Sequence, residues 1–560
     1  MQELLEIDGL MVALPAWADR PHAVRDLSLR LGRNEILCVV GESGSGKSVM
    51  ARSVMRLLPE PQLRAVAGRI LFEGEDLLRA SPGRMREIRG GRIAMIFQEP
   101  MTALNPLMPI GRQIEEVVEV HLDAARAERR ERILKVLADV RLPDPERILH
   151  AYPHQLSGGQ RQRAMIAMAL VLEPAILIAD EPTTALDVTT QAQILNLIKE
   201  LQAEHRTGIL FITHDFGVVA EIADRVAVMR EGELVEIGRA GDVLDAPRHV
   251  YTKSLIAAVP GLEPRRTRAP EDAPVALDVR GLEKRYGSGG GFFGRGARKV
   301  HAVRSVTLAL GRGETLGLVG ESGSGKSTLA RCIVRLTDAD GGKVMLGDID
   351  LMSLSRRRLR PYRKRIQMVF QDPFGSLNPR LKVARLIAQG PMVHGAAEAE
   401  ALALARELLD LVGLDPRAGD RFPHEFSGGQ RQRIGIARAL ALRPEILVAD
   451  EPVSALDVSV QAQVLRLLAD VRDRFRLAML FITHDLRVAA QVCDRVAVMR
   501  HGEIVEIGPT AEVFADARHP YTRELLAAVP GRRWSASAVP SASPPLDAGK
   551  AAPPAGEYRP

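Results

Sequence analysis

The chain has 560 residues, of which 46% are hydrophobic and 4% aromatic, and its 76 basic and 70 acidic residues leave a net charge of +6. This length exceeds what one hydrophobic core accommodates. The small charge excess demands no nucleic-acid partner, and the few aromatic residues argue against a stacking surface for single strands. The three cysteines form no CxxC pair, so neither a disulfide framework nor a zinc site is supported. We expect no signal peptide and no membrane-spanning segment, because no apolar stretch reaches about 18 residues.

Four motifs occur twice, in the same order. GESGSGKS at Gly41–Ser48 returns at Gly320–Ser327, and SGGQRQR, ADEP and FITHD follow in both copies. From SGGQ onward, corresponding residues of the two copies are separated by one constant interval. A repeat of this kind predicts two similar domains. We place them at residues 1–262 and 275–532.

Apolar runs precede the motifs along the chain. ILCVV (36–40), AILIAD (175–180) and ILFIT (209–213) predict buried strands, and QAQILNLIKELQ (191–202) predicts a helix. TLGLV, EILVAD and MLFIT repeat the strands in the second half. Strands that alternate with helices indicate an α/β fold with a mostly parallel sheet.

Three segments have compositions that predict a linker, a loop and a tail rather than parts of a hydrophobic core. EPRRTRAPEDAP (263–274) is rich in proline and charge, which is typical of a linker. GSGGGFFGRGA (287–297) is an insertion of the second half, for which we expect a mobile loop. Residues 533–560 are rich in proline, alanine and serine and predict a disordered tail.

GESGSGKS between a strand and a helix is typical of a phosphate-binding loop. Its glycines let backbone N–H groups converge on phosphate oxygens, and the following helix N-terminus favours an anion. The lysine would reach the β and γ phosphates, and the serine would ligate Mg²⁺. An unliganded Gly-rich turn is the alternative interpretation. The predicted loop residues are Gly41, Ser43, Gly44, Gly46, Lys47 and Ser48, and Gly320, Ser322, Gly323, Gly325, Lys326 and Ser327.

Acidic pairs follow the second predicted strand of each set. Asp180 and Asp450 end their strands, where a carboxylate can hold Mg²⁺. Glu181 and Glu451 come next and can orient or deprotonate an attacking water. A pair of helix-capping acids is the alternative, but two identical ADEP sequences disfavour it.

A histidine and a glutamine complete each set. His214 and His484, in THD, can contact the γ-phosphate and steady the water, although a lone histidine is more often structural. Gln98 and Gln371 can touch Mg²⁺ or the water. The predicted Mg²⁺ ligands are therefore Ser48, Gln98, Asp180, Ser327, Gln371 and Asp450.

This ordered set resembles the ATP-binding subunits of ABC transporters. The resemblance implies two P-loop NTPase domains, each with a mostly parallel sheet core, a β subdomain and a helical subdomain that carries SGGQ. It also implies crosswise ATP sites, in which Gly41–Ser48 faces Ser427–Gln430 and Gly320–Ser327 faces Ser157–Gln160. Asp187 and Asp457 match the loop that connects the sites. The nucleotide-binding signature residues would be Ser157, Gly158, Gly159, Gln160, Ser427, Gly428, Gly429 and Gln430.

PRHVYTKSLIAAVP (247–260) and ARHPYTRELLAAVP (517–530) resemble the carboxyl-terminal segment of oligopeptide/dipeptide/nickel import ATPases, whose fused forms include glutathione-type importers. TALNP and GSLNP, after the glutamines, are also similar to that subfamily. The resemblance implies ATP and Mg²⁺ as cofactors and two transmembrane permease subunits as partners, with an extracytoplasmic solute-binding protein. It implies a peripheral position on the cytoplasmic face of the bacterial inner membrane, uptake of peptides or a peptide-like solute, and no nucleic acid.

One departure from the family concerns adenine, which the family stacks on an aromatic residue before the phosphate loop. Tyr286 matches this residue. Aligning IDGLMVAL with VRGLEKRY places Leu14 there in the first half, and Trp17, three residues later, is the candidate substitute. The absence of cysteine after Cys493 predicts no iron–sulfur cluster.

Two other functions remain as alternatives. A soluble twin ATPase acting on ribosomes or DNA would also lack membrane spans, but the ribosomal type has a long helical linker and the DNA-repair type has zinc cysteines. A nucleotide sensor that barely hydrolyses ATP is disfavoured by Glu181 and Glu451.

Overall fold

The computed structural model describes residues 3–98, 103–183, 186–264, 273–287, 299–454, 456–532 and 534. The predicted Gly-rich insertion after Gly287, residues 265–272 of the predicted linker and the predicted tail apart from Trp534 lie outside the described residues.

The elements of the two halves follow one another in the same pattern. The strands of the first half are β1 (Glu3–Ala13), β2 (His22–Gly32), β3 (Ile36–Val40), β4 (Arg64–Phe72), β5 (Glu75–Asp76), β6 (Ile93–Ile96), β7 (Ile176–Asp180), β8 (Gly208–Ile212), β9 (Arg225–Arg230) and β10 (Glu233–Arg239). Its helices are α1 (Lys47–Val54), α2 (Pro82–Ile88), α3 (Ile110–His121), α4 (Arg126–Asp139), α5 (Pro145–His150), α6 (Gly158–Leu170), α7 (Val188–His205), α8 (Phe216–Ile222), α9 (Ala240–Asp245) and α10 (Val250–Ala258).

The second half repeats this series. Its strands are β11 (Val275–Gly287), β12 (Lys299–Gly311), β13 (Thr315–Val319), β14 (Gly341–Leu346), β15 (Ile349–Asp350), β16 (Ile366–Val369), β17 (Ile446–Asp450), β18 (Ala478–Thr483), β19 (Arg495–Arg500) and β20 (Glu503–Pro509). Its helices are α11 (Lys326–Ile333), α12 (Arg356–Leu359), α13 (Pro373–Ser376), α14 (Val383–Val393), α15 (Glu398–Leu411), α16 (Gly428–Leu440), α17 (Val458–Phe475), α18 (Leu486–Val492), α19 (Thr510–Ala515) and α20 (Pro520–Ala527).

Each half contains a mostly parallel sheet, which confirms the prediction. The order is β10–β9–β3–β8–β7–β6 in the first half, with an antiparallel β9–β10 pair and parallel pairs elsewhere. The second half has the equivalent order β20–β19–β13–β18–β17–β16. Because parallel strands end at one edge of a sheet, the loops after β3, β7 and β8 gather there. The predicted phosphate loop, acidic pair and histidine follow these strands, and Gln98 follows the neighbouring β6.

The central strand β3 shows why the sheet is buried on both faces. Leu37 and Val39 pack toward β1, β2 and α1, whereas Ile36, Cys38 and Val40 pack toward the helices on the other face. All five side chains are buried. A continuous apolar run therefore replaces the alternating pattern of a half-exposed strand.

Two smaller subdomains flank this sheet in each half. The antiparallel sheet β2–β1–β4–β5, and its counterpart β12–β11–β14–β15, form the β subdomain. Helices α3 to α6 pack together beside the parallel sheet and include the SGGQ helix. Among the described residues, none of the helices has both the length and the apolar character that crossing a bilayer requires.

The halves also pack against each other. Val188, at the start of α7, belongs to the apolar cluster of the second half, and Leu262 packs against that cluster. Trp534 packs against the cluster of the first half. Trp534, the second residue of the predicted tail, is therefore partly buried, because its indole covers apolar surface of the other half.

Candidate functional site

Each phosphate loop leads from a buried strand into a helix. Gly46, before α1, has φ 100°, and Gly325, before α11, has φ 107°. A Cβ atom at these positions would lie 2.6 Å from the carbonyl oxygen of Ala23 and 2.1 Å from that of Ala302. Glycine is thus required by both conformation and space, and it lets the amides of the helix N-terminus face one point.

The loop lysines are buried and held by the loop itself. Lys47 Nζ donates to the carbonyl oxygens of Gly41 at 2.7 Å and Glu42 at 2.9 Å. Lys326 Nζ makes the same bonds to the second loop at 2.8 and 2.7 Å. Burial lowers the pKa of Lys47, while the neighbouring carboxylates, led by Glu181, oppose the shift. Each loop therefore presents an ammonium group at the place where phosphates would bind.

The loop serines pair with the strand-end aspartates. Ser48 Oγ donates to Asp180 Oδ1 at 2.8 Å, and Ser327 Oγ donates to Asp450 Oδ1 at 3.0 Å. Burial raises the pKa of Asp180, and the bond from Ser48 opposes this shift. A hydroxyl and a carboxylate oxygen side by side are the donor types that Mg²⁺ prefers when phosphates complete its coordination. The residues present therefore fit the metal.

Glu181 and Glu451 each contact the predicted glutamine and histidine of their own half. Gln98 Nε2 donates to Glu181 Oε2 at 3.0 Å, and His214 Nδ1 lies 3.4 Å from Glu181 Oε1. Glu181 has φ 48° and Glu451 φ 45°, a backbone region that non-glycine residues rarely adopt. Such strain concentrates at functional sites.

The second half has the same geometry. Gln371 Nε2 donates to Glu451 Oε2 at 2.9 Å, and His484 Nδ1 lies 3.1 Å from the same oxygen. Burial acts to raise the pKa of Glu451, but the bond to His484, the charges of His484 and Lys326 and a bond to Ser454 together outweigh it, and the pKa falls below its usual value. Burial acts to lower the pKa of His484, but the contact with Glu451 and the charge of Asp485 outweigh burial, and the pKa of His484 rises. The sequence indicated these residues separately and gave no sign that they contact one another.

Contacts between the halves reach the phosphate loops. The backbone N–H of Ser43 donates to Asp457 Oδ1 at 2.8 Å, and Ser459 Oγ donates to Glu42 Oε1. In the reciprocal interface, Thr189 Oγ1 donates to Glu321 Oε1. The structure thus brings Asp457, which the resemblance assigned to the loop connecting the two sites, to the phosphate loop of the opposite half. Glu42, Glu321, Thr189 and Ser459 are contacts that sequence reasoning missed.

Tyrosines of the carboxyl-terminal segments also reach the loops. The Tyr251 hydroxyl accepts from the Glu42 backbone N–H and donates to Glu42 Oε2, both at 3.2 Å. Tyr521 accepts from the Glu321 N–H at 3.2 Å. The tyrosine–threonine pair shared by segments 247–260 and 517–530 was the sequence feature that could have indicated these contacts. These segments therefore contact the phosphate loop within their own half.

Each signature serine, Ser157 or Ser427, caps the N-terminus of the helix that follows it. The Gln160 backbone N–H donates to Ser157 Oγ at 3.2 Å while Gln160 Oε1 accepts from the Ser157 N–H at 3.1 Å. Ser427 and Gln430 form the same capping box. Among the described residues, the pocket over the second phosphate loop is lined by the second half, and Ser157–Gln160 is not part of its lining. The crosswise pairing of loop and signature stays a prediction.

The strand register supports the alignment of Leu14 with Tyr286. Ala13 pairs with His22 in the first half, and Arg285 pairs with His301 in the second. Leu14 packs against the β-subdomain core, whereas Tyr286 is 45% exposed. Trp17 is 85% exposed.

Residues 24–184 and 303–454 match the family described as ABC transporter, and residues 235–299 and 505–551 match the oligopeptide/dipeptide transporter C-terminal region. The chain is 48% identical to the glutathione import ATP-binding protein GsiA of Salmonella paratyphi A, over 94% of this chain and 90% of that protein. It is 49% identical to the protein of the same name in Escherichia coli O6:H1, with the same coverage. A solved dimeric bacterial ABC transporter cassette is 28% identical over 42% of this chain and 98% of its own, with a TM-score of 0.38. The chain therefore belongs to the ABC transporter family, as an ATP-hydrolysing importer subunit in which two ATP-binding cassettes share one polypeptide.

Proposed function

We propose that this ATPase powers uptake of a peptide or peptide-like solute and hydrolyses ATP at two composite sites. The observation that carries the proposal is the completeness of both sites. Each half holds a buried lysine, a serine–aspartate pair, and a glutamate bonded to a glutamine beside a histidine. A chain with one degenerate site would lack this equivalence.

Within each site the roles follow from the contacts. Lys47 and Lys326 bind the β and γ phosphates. Glu181 and Glu451 accept a proton from the attacking water. The imidazoles of His214 and His484 and the amides of Gln98 and Gln371 fix the orientation of these carboxylates.

Ser48 with Asp180, and Ser327 with Asp450, would hold Mg²⁺, and Gln98 and Gln371 are the further ligands that the sequence predicts. When bound it would neutralise charge on the phosphates. The hydrogen bond within each serine–aspartate pair keeps the two ligands side by side before the metal binds.

The crosswise arrangement remains part of the proposal. Gly41–Ser48 would bind ATP together with Ser427–Gln430, and Gly320–Ser327 together with Ser157–Gln160. The bond from Ser43 to Asp457 supports it, because this contact crosses the same interface. ATP at the interface would hold the halves together, and loss of its γ-phosphate contacts would favour separation.

The domain bounds that go with this function are 1–262 and 275–532. We propose two transmembrane permease subunits as partners, an extracytoplasmic solute-binding protein acting through them, and a peripheral position on the cytoplasmic face of the inner membrane. The relatives named as glutathione import proteins make glutathione or a short peptide the first solute to test. They also disfavour a twin ATPase that acts on ribosomes or DNA.

The test is coexpression with the two permease subunits of the proposed importer. We expect the three proteins to copurify from membranes, and a binding protein loaded with glutathione or a dipeptide to stimulate ATP hydrolysis by the reconstituted complex. Co-sedimentation with ribosomes, without membrane copurification, would contradict the proposal.

A further prediction concerns adenine. Tyr286→Ala should weaken nucleotide binding at the second site by roughly tenfold, because stacking on an aromatic ring contributes about 1–3 kcal/mol per base. Trp17→Ala in the first half is the matched comparison. Binding measured site by site with a fluorescent ATP analogue checks both. Unchanged affinity in Trp17→Ala would leave Leu14, or no side chain, beneath the first adenine.

A second prediction concerns the contact across the interface. Asp457→Ala should lower steady-state ATP hydrolysis by roughly tenfold, because the Ser43 N–H loses a charged acceptor. Asp457→Asn retains an acceptor and should lose less. Wild-type turnover in Asp457→Ala would show that the contact does not serve hydrolysis.

A further inference from the structure

The carboxyl-terminal end of the second cassette crosses to the first cassette. We call Pro530–Arg532 together with Trp534 the strap. The Gly531 N–H donates to Glu221 Oε2 of α8 at 3.4 Å, and Trp534 packs against the apolar cluster of the first cassette. The Trp534 N–H donates to the Gly531 carbonyl at 2.9 Å, which closes the turn between these contacts. The strap therefore has one polar and one apolar contact on the first cassette.

The strap is also held by the second cassette. Arg487 Nη2 donates to the carbonyl oxygens of Pro530 and Gly531, each at 2.9 Å. The guanidinium is buried, so these two carbonyls replace water as its partners. Arg487 stands in the first turn of α18, whose N-terminus is capped by Asp485. The strap thus joins α8 of one cassette to α18 of the other.

Both helices begin two residues after a site histidine. α8 starts at Phe216, after His214, and α18 starts at Leu486, after His484. Each histidine contacts the glutamate of its own site. A strap between the two helices is therefore a physical connection between the two sets of catalytic residues.

The repeat departs from its own pattern where the strap lies. Arg487 corresponds to Gly217 in the first cassette. A Cβ atom at Gly217 would lie 2.7 Å from the Pro530 carbonyl oxygen. Glycine at position 217 leaves room for the Pro530 carbonyl. Arginine at position 487 supplies the donor that bonds to the carbonyls of Pro530 and Gly531.

The first cassette's own carboxyl-terminal end makes the equivalent crossing to the second cassette. Gln491 Nε2, on α18, donates to the carbonyl oxygens of Gly261 at 2.9 Å and Glu263 at 2.8 Å. No bond from Gly217 can match that of Arg487, since glycine has no side chain. The two crossings are related by the repeat, but among the described residues only the strap is also bonded to a buried arginine of its own cassette.

We propose that the strap couples hydrolysis at the two sites and that Arg487 is its positioning residue. A change at one histidine moves the helix that follows it, and the strap transmits the displacement to the helix of the other site. Coupling through contacts of this kind requires an element that both sites bias. The inference rests on the proposed two-site function.

The experiment measures ATP hydrolysis against ATP concentration for the purified full chain. In Arg487→Ala we expect kcat to fall roughly threefold to tenfold and cooperativity in ATP to disappear, with KM changed less than about twofold because Arg487 touches no phosphate loop. Gly217→Ala should do the same from the other cassette, since the added methyl displaces the strap. Arg487→Lys keeps a donor and should restore part of the cooperativity. Gly241→Ala, in α9 with only Asp245 within 4 Å, is the control and should match the wild type.

The outcomes separate the two proposals. Wild-type kcat and cooperativity in both Arg487→Ala and Gly217→Ala would overturn the strap while leaving the ATPase assignment intact. A loss confined to Arg487→Ala, absent from Gly217→Ala and not restored by Arg487→Lys, would assign Arg487 to folding alone and also overturn it. Absence of hydrolysis by the wild-type chain would overturn both proposals.

Discussion

Replacement of both site glutamates, Glu181→Gln with Glu451→Gln, should lower ATP hydrolysis by about 100-fold to 10,000-fold, the contribution expected of a general base. The amide keeps the size of the carboxylate and can still bond to Gln98 or His214, but it does not accept the proton of the attacking water. ATP binding should persist, so the variant should accumulate with ATP bound. Phosphate release and retained nucleotide, measured on one preparation, check both expectations.

Each single variant is a control for the double one. Glu181→Gln and Glu451→Gln should each lose activity, because the two glutamates have equivalent surroundings. Undiminished hydrolysis in the double variant would refute the assignment of these residues as general bases. Activity lost in one single variant and retained in the other would instead indicate one catalytic and one silent site.

The second large effect is expected from the phosphate-loop lysines. Lys47→Met should weaken ATP binding at the first site by roughly 10- to 150-fold, because a hydrogen bond to a charged group contributes about 1.5–3 kcal/mol. Lys326→Met should do the same at the second site. Equilibrium dialysis with labelled ATP measures both losses.

Folding must be separated from binding in this test, because both lysines are buried and bonded to loop carbonyls. Methionine keeps the apolar stem, so the unfolding temperature without nucleotide should change little, whereas stabilisation by added ATP should decrease. Equal stabilisation by ATP in Lys47→Met and the wild type would contradict a phosphate role for Lys47.

Much of the fold could be predicted from the sequence. The apolar runs ending at Val40, Asp180 and Thr213 are strands or end at most one residue after one, because a parallel strand covered on both faces must be apolar throughout. The residues that carry chemistry follow these runs, so they had to gather at one sheet edge. The pairing of Ser48 with Asp180 is a consequence of that topology.

The contacts between cassettes could not be predicted in the same way. Motif spacing constrains each half separately, whereas the bond from Ser43 to Asp457 depends on how the halves pack. Glu42 and Glu321 occupied variable positions of the loop motif, and nothing local indicated that they bond to the opposite half. Trp534 was assigned to the tail because its neighbours are small or proline, although its indole covers apolar surface.

The most direct test of the crosswise account counts ATP retained per chain in the Glu181→Gln/Glu451→Gln background. Ser427→Arg blocks one signature and is combined with loss of either phosphate-loop lysine. If the first loop pairs with Ser427, adding Lys47→Met damages the same site and leaves the other intact, whereas adding Lys326→Met damages both. The account predicts clearly more retained ATP with Lys47→Met than with Lys326→Met, and the opposite order would contradict it.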